Sequence, residues 1–192
     1  MRIFISGGCK NGKSFYAQHI AKAQCANNET NTGRLYYIAT MKPIDTEDEL
    51  CIARHRKDRE GWGFTTVEQP VDIEKIMDAC DSGGSFLLDS VTALLSNEMF
   101  LPNGTINENA GKKIISGLSF IIKNTENIVI VSDFIYSDAT FYDPLTEKFR
   151  KSLAQIDRAV SGIADAVVEI AYTNVIVHKG GAAFDAVYKK IS

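Results

Sequence analysis

No apolar run in the chain approaches the roughly 18 residues that a transmembrane helix needs, which argues against a membrane span. The four cysteines, Cys9, Cys25, Cys51 and Cys80, show neither C-x-x-C spacing nor a histidine at zinc-site intervals. That pattern argues against a disulfide framework and for free thiols in a reduced, cytoplasmic setting. Only four prolines occur in 192 residues, with no repeat, no low-complexity tract and no proline-rich linker. One domain over residues 1–192 is therefore expected. The formal net charge of −3 speaks against a general nucleic-acid or membrane-surface binder. A secretory signal is not expected either, because the first recognisable motif begins at Gly7 and would be removed with it.

That motif is Gly7-Gly8-Cys9-Lys10-Asn11-Gly12-Lys13-Ser14, which satisfies G-x-x-x-x-G-K-[ST] at every fixed position. It follows the apolar run Ile3-Phe4-Ile5 and precedes a helix-compatible stretch, the strand–loop–helix setting of a phosphate-binding loop. Glycines let successive backbone N–H groups turn inward on phosphate oxygens, and the helix N-terminus adds partial positive charge. Lys13 is expected on the β- and γ-phosphates, and the Ser14 hydroxyl on Mg²⁺. Asp89 closes the run Phe86-Leu87-Leu88. An acid at the tip of a neighbouring strand is what a P-loop protein uses to hold the hydration shell of Mg²⁺. An N-cap for the following helix is the plainer alternative.

Strands are expected at Ile3–Ser6, Arg34–Ala39, Ser85–Leu88, Ile128–Ser132, Ala166–Ala171 and Asn174–His178, the last two joined at Tyr172-Thr173. Helices are expected at 14–25, 46–58, 71–80, 106–124 and 144–164, and surface loops at Cys25–Gly33 and Met99–Asn109. Continuous apolar strands alternating with helices imply an α/β fold with a mostly parallel sheet covered on both faces. The order of elements suits a P-loop NTPase of RecA-like arrangement.

A second chemical cluster lies at Arg54-His55-Arg56-Lys57-Asp58-Arg59. On a helix His55 stands one turn from Arg59 and one turn from Cys51. An imidazole among cations that can neutralise a triphosphate is what nucleophilic attack on phosphorus requires. From these residues alone, a solvated basic helix face with an incidental histidine is the plainer reading. His19 and His178 read as structural. Phe134, Tyr136, Phe141 and Tyr142 either line a site for a large planar ligand or pack a loop onto the sheet.

Taken in order, the phosphate loop, Tyr37-Ile38-Ala39-Thr40, the acidic Asp45–Glu49, Ile52-Ala53-Arg54-His55-Arg56, Trp62, Thr66-Val67-Glu68-Gln69-Pro70 and Leu87-Leu88-Asp89-Ser90-Val91-Thr92 form a specific combination. It resembles the bifunctional adenosylcobinamide kinase / adenosylcobinamide-phosphate guanylyltransferase family of cobalamin biosynthesis, closely over about residues 1–100 and weakly beyond. The resemblance implies a RecA-like fold, a homotrimer and a corrinoid substrate. It implies phosphoryl transfer from ATP or GTP to a corrinoid hydroxyl, then GMP transfer from GTP through a histidine matched by His55. It places Gly7 to Ser14, Thr40, Met41, Lys42, Arg56, Lys57, Asp58, Arg59, Glu68 and Asp89 at nucleotide-contacting positions. The chain departs from the family after its longest apolar strand, where Asp133-Phe134-Ile135-Tyr136-Ser137-Asp138 replaces an Asn-Glu-Val-Gly-x-Gly loop. Ile156-Asp157 likewise replaces an Asn-Gln pair. Another P-loop small-molecule kinase, or a nucleotide-binding regulatory protein without catalysis, remains open on the sequence.

Overall fold

The computed structural model describes residues 1–27 and 32–188, the side chains of Asn27 and Cys51 excepted. Its frame is a seven-stranded sheet in the order β3-β2-β4-β5-β1-β6-β7. The strands are β1 (Arg2–Gly7), β2 (Leu35–Ala39), β3 (Phe64–Glu68), β4 (Ser85–Asp89), β5 (Asn127–Val131), β6 (Ala166–Ala171) and β7 (Asn174–Lys179). Every pairing is parallel except that of β6 with β7. Tyr172 and Thr173 both adopt positive φ, 50° and 64°, at the tight turn between those two strands, as a two-residue hairpin requires.

Side chains alternate across the sheet and divide the core in two. Phe4, Ile38, Phe86, Leu88, Ile128 and Ile130 face one layer, filled by α3 (Ile76–Ala79), α4 (Val91–Met99), α5 (Ala110–Asn124) and α6 (Pro144–Ile163). Ile3, Ile5, Tyr37, Leu87, Val129 and Val131 face the other, covered by α1 (Lys13–Asn27) and α7 (Gly181–Tyr188). The central strands β4 and β5 are buried along nearly their whole length, which explains their unbroken Val/Ile/Leu runs.

The sequence expectations hold for the α/β class, the parallel sheet and most strands, and need correction in places. Cys25–Asn27 continue α1 rather than opening a loop, while residues 28–31 of the expected loop lie outside the described residues. The stretch 71–80 divides into a 3-10 turn, Ile73–Lys75, and the short α3, because Asp72 enters it with φ 50° and sets no side-chain cap. The helix expected from 106 begins at Ala110, since Ile106 is held in a bridge to Phe100 across the Gly104 turn. Two elements went unanticipated, the edge strand β3 and α7, and α4 was expected only as a helix following Asp89, without bounds.

One further helix, α2 (Thr46–Asp58), is capped at Asp45, whose carboxylate accepts from the Asp48 N–H at 2.9 Å. Glu47, Asp48 and Glu49 occupy its first turn and His55, Arg56 and Lys57 its last, in line with the helix dipole. None of its described side chains is buried, and Leu50 is 72% exposed. It is linked to the β2–β3 end of the sheet by the Arg56–Glu68 ion pair and, just past the helix, by Arg59 stacked on Tyr37, while Ile52 and His55 are half-buried.

Candidate functional site

The phosphate loop connects β1 to α1, and its conformation is fixed from one side. A Cβ on Gly7 would lie 2.3 Å from the Ile170 carbonyl oxygen on β6, so only glycine fits there. Asn11 Nδ2 donates to the same carbonyl at 3.4 Å. Lys10 and Gly12 take left-handed backbone, φ 59° and 84°. Cys9 is exposed, and Ser14 is half-buried in the first turn of α1. Lys13 is buried; its Nζ donates to the Gly8 carbonyl at 2.7 Å and pairs with Asp133 Oδ1 at 2.8 Å.

Asp133 stood out in the sequence only as a departure, and its meeting with Lys13 is the contact that sequence reading missed. The signal was present: Ile128 to Ser132 followed by Asp133 repeats the pattern of Phe86 to Leu88 followed by Asp89. Ser132 N–H donates to the Ile5 carbonyl and Phe134 N–H to the Gly7 carbonyl, each at 2.9 Å, while Asp133 N–H donates to Thr92 Oγ1 at 3.0 Å. These bonds carry the residue after β5 over the phosphate loop.

A cavity of about 530 Å³ opens between the tips of β2, β3 and β4 and helix α2, and no residue from Gly7 to Ser14 lines it. His55, Arg56, Arg59, Glu68, Asp89 and Met41 all line it. The structure thus gathers these six of the sequence-singled residues around one space. Lys42, Lys57 and Asp58 are exposed and lie outside its lining. Thr40 is fully buried and works through a neighbour: its hydroxyl donates to the Ser90 carbonyl and accepts from the Ser90 N–H, both at 2.7 Å.

Inside the cavity the polar groups are under-satisfied. Arg59 is 7% exposed, with its guanidinium carbon 3.4 Å from the centre of the Tyr37 ring. Burial pushes its pKa down, with Tyr37 and Asp89 acting in the opposite sense. Arg59 Nη1 and His55 Nδ1 are both buried without a hydrogen-bond partner. Unpaired buried donors carry a desolvation cost that an anionic ligand would relieve. Arg56 pairs with Glu68 at 2.7 Å across the mouth, in an exposed geometry. Tyr37 OH donates to Asp89 Oδ2 at 2.9 Å, so one aromatic residue contacts both the cation and the acid, a link invisible in the sequence.

Oxygen donors of the kind Mg²⁺ prefers stand at both expected positions, the Ser14 hydroxyl and the Asp89 carboxylate. Among the described residues no group of three or more His, Cys, Asp or Glu side chains could hold a metal alone. A cation that takes most of its ligands from phosphate and water fits that sparse set.

The region where the chain departs from the family forms its own network. Asp157, on α6, is buried; its Oδ2 accepts from Ser132 Oγ and from Tyr136 OH, each at 3.0 Å, and its Oδ1 has no partner. Burial, with help from the nearby Asp133 charge, pushes this carboxyl up to about 7. Arg150 pins the same loop, donating to the Ile135 carbonyl and to Asp138 while its guanidinium lies 4.4 Å from the Tyr142 ring centre.

A parallel sheet, a glycine-rich loop feeding α1 and acids at the tips of adjacent strands define a P-loop NTPase fold of the KaiC/RecA-like kind. A KaiC-like protein from the hyperthermophilic archaeon Pyrococcus horikoshii shares that fold with a TM-score of 0.50 and 12% identity, over 92% of this chain and 77% of the other. No curated protein matches the sequence. The chain belongs to the cobinamide kinase / cobinamide phosphate guanyltransferase family, which it matches over residues 3–174. That is a family of transferases of cobalamin biosynthesis that use nucleotides. No helix among the described residues is long and apolar enough to cross a membrane.

Proposed function

We propose that this chain performs both family reactions, as one nucleotide-binding domain over residues 1–192, and that in the second His55 carries GMP from GTP to adenosylcobinamide phosphate. The observation that carries the reading is the cavity itself. It brings His55 and Arg59 together, each with a buried nitrogen lacking a partner.

In the kinase step Gly7 to Ser14 would wrap the phosphates of ATP or GTP, and Lys13 would leave the Gly8 carbonyl for the β- and γ-phosphates. Ser14 and Asp89 would hold Mg²⁺, which would supply charge neutralisation there when bound. A hydroxyl of adenosylcobinamide accepts the phosphoryl group.

In the guanylyl step an imidazole nitrogen of His55 attacks the α-phosphorus of GTP. An N–P bond forms, the bond to the α,β-bridging oxygen breaks, and pyrophosphate leaves with the electron pair. The other ring nitrogen sheds its proton to solvent. A phosphate oxygen of adenosylcobinamide phosphate then attacks the same phosphorus, the N–P bond breaks with its electron pair returning to the imidazole, which takes back a proton from solvent, and adenosylcobinamide-GDP is released. Arg59 and Arg56 face the developing charge, with Glu68 holding Arg56; Met41 walls the cavity beside them. Lys42, Lys57 and Asp58 border the same segment, while Thr40 supports the cavity by holding Ser90. A homotrimer in the cytoplasm is the setting that the family resemblance implies.

The test is covalent. Incubation with GTP and Mg²⁺ is expected to give an acid-labile, alkali-stable GMP adduct by mass spectrometry, absent in His55→Ala. Tight GTP binding with no adduct would defeat the guanylyltransferase reading and leave a P-loop kinase or a non-catalytic binder.

A further inference from the structure

We propose that Asp133 is the general base of the phosphoryl-transfer step, taking the proton from the acceptor hydroxyl. The inference rests on the kinase half of the function above and is independent of the histidine chemistry.

Three observations converge on it. First, Asp133 Oδ1 lies 2.8 Å from Lys13 Nζ, the group that meets the terminal phosphates of a bound nucleotide. The carboxylate therefore stands one ion-pair length from the lysine of the phosphate loop, on the side from which Lys13 would move to meet the phosphates. Second, its backbone is held by three bonds to two elements: Ser132 N–H and Phe134 N–H to Ile5 and Gly7 on β1, and its own N–H to Thr92 on α4. A base must be fixed relative to the reacting atoms, and these bonds fix it. Third, the carboxylate stays reachable from outside, at 28% exposure. The loop that follows leaves Phe134, Ile135 and Tyr142 between 37% and 43% exposed.

The exchange of partners gives the chemistry its order. Without nucleotide, Lys13 neutralises Asp133. When the γ-phosphate draws Lys13 away, the freed carboxylate faces an anion and needs a hydrogen-bond donor. An acceptor hydroxyl placed between the two satisfies it and is thereby aimed at phosphorus. The hydroxyl proton passes to Asp133 Oδ, the acceptor oxygen forms its bond to the γ-phosphorus, and the bond to the β,γ-bridging oxygen breaks. The electron pair leaves on the nucleoside diphosphate, and Asp133 returns its proton to solvent through its open side. Asp89, at the tip of the next strand, is left for the metal, so the two acids divide the work.

The test uses the full chain with adenosylcobinamide and Mg²⁺-ATP or Mg²⁺-GTP, kcat being measured beside the nucleotide Kd. Asp133→Asn keeps size and hydrogen bonding but cannot take the proton. It is expected to lower kcat by about 100-fold or more, with the nucleotide Kd unchanged or tighter because Lys13 loses a competitor. Asp133→Glu, which keeps a carboxylate, is expected to retain more activity than Asp133→Asn. A kcat for Asp133→Asn within about fivefold of wild type would overturn the assignment, as would a loss confined to nucleotide affinity; either lies well below a base's usual contribution. Wild-type protein that transfers no phosphoryl group to any cobinamide would instead refute the kinase reading, and the base with it.

Discussion

The two ends of the proposed reaction path are built differently. The phosphate loop follows β1, which is paired on both sides by β5 and β6, with Lys13 buried and Gly7 closed against β6. The histidine stands on a helix with no buried residue among those described, linked to the sheet by the exposed Arg56–Glu68 pair and, just past its end, by Arg59 stacked on Tyr37. Phosphoryl transfer needs a loop already shaped for its ligand, since positioning and electrostatics do nearly all of the catalysis. A covalent carrier must instead meet a nucleotide first and an acceptor afterwards. Weak anchoring lowers the free energy of local displacement, so the difference in construction matches the difference in chemistry.

The comparison can be broken most sharply through its glycines. Gly7→Ala would force a Cβ onto the Ile170 carbonyl oxygen, which has no room to yield. A loss of roughly 2 kcal/mol or more is expected, about 5 °C in melting temperature, together with loss of the nucleotide-induced shift. Gly61→Ala, in the turn after α2, meets no atom within 4 Å although φ is 77°, and about 1 kcal/mol is expected. Equal melting temperatures for the two variants would abolish the proposed contrast.

Asp157 sharpens it on the rigid side. Its folded-state pKa is raised, from 3.8 to about 7, so the folded chain holds a proton that the unfolded chain has released across that interval. Stability contributed by this group is therefore greatest in acid and falls as pH rises from about 4 to about 7. Asp157→Asn, which cannot ionise, is expected to gain on wild type by a few degrees between pH 5 and pH 8 in thermal melts. A gain that is flat with pH would show that the carboxyl titrates normally.

The smallest stability effect is expected on the histidine side. Arg56 and Glu68 are 59% and 68% exposed at the side chain, and pairs of that kind contribute about 0–1 kcal/mol. Arg56→Ala should leave the melting temperature within about 2 °C of wild type while slowing formation of the GMP adduct. A large drop in stability would mean that α2 is anchored more firmly than its exposure indicates.

Legibility in the sequence followed the same division. The central strands announced themselves because burial on both faces leaves no polar residue to interrupt Ile128–Val131 or Phe86–Leu88. Strand β3 did not, because Phe64-Thr65-Thr66-Val67-Glu68 lies at the sheet edge and needs no apolar run. Helix α4 entered the sequence reading only as a following helix that Asp89 could cap, with no bounds; its nine residues, Val91–Met99, are capped by Ser90 instead. Within the site, Gly7 to Ser14 is contiguous and could be read directly. The pairs Lys13–Asp133 and Tyr37–Asp89 join residues from strands made neighbours only by the sheet order. Spacing along the chain carries no trace of that order.

Helix α2 also offers an unusual experimental window. Where side chains both hold a core and perform chemistry, a mutational scan confounds the two, because loss of activity can mean loss of fold. Along Thr46–Asp58 most side chains touch solvent and few support the fold. Substitutions there should divide cleanly by activity at nearly constant abundance, so that sequence variation in this segment records selection on transfer chemistry rather than on folding.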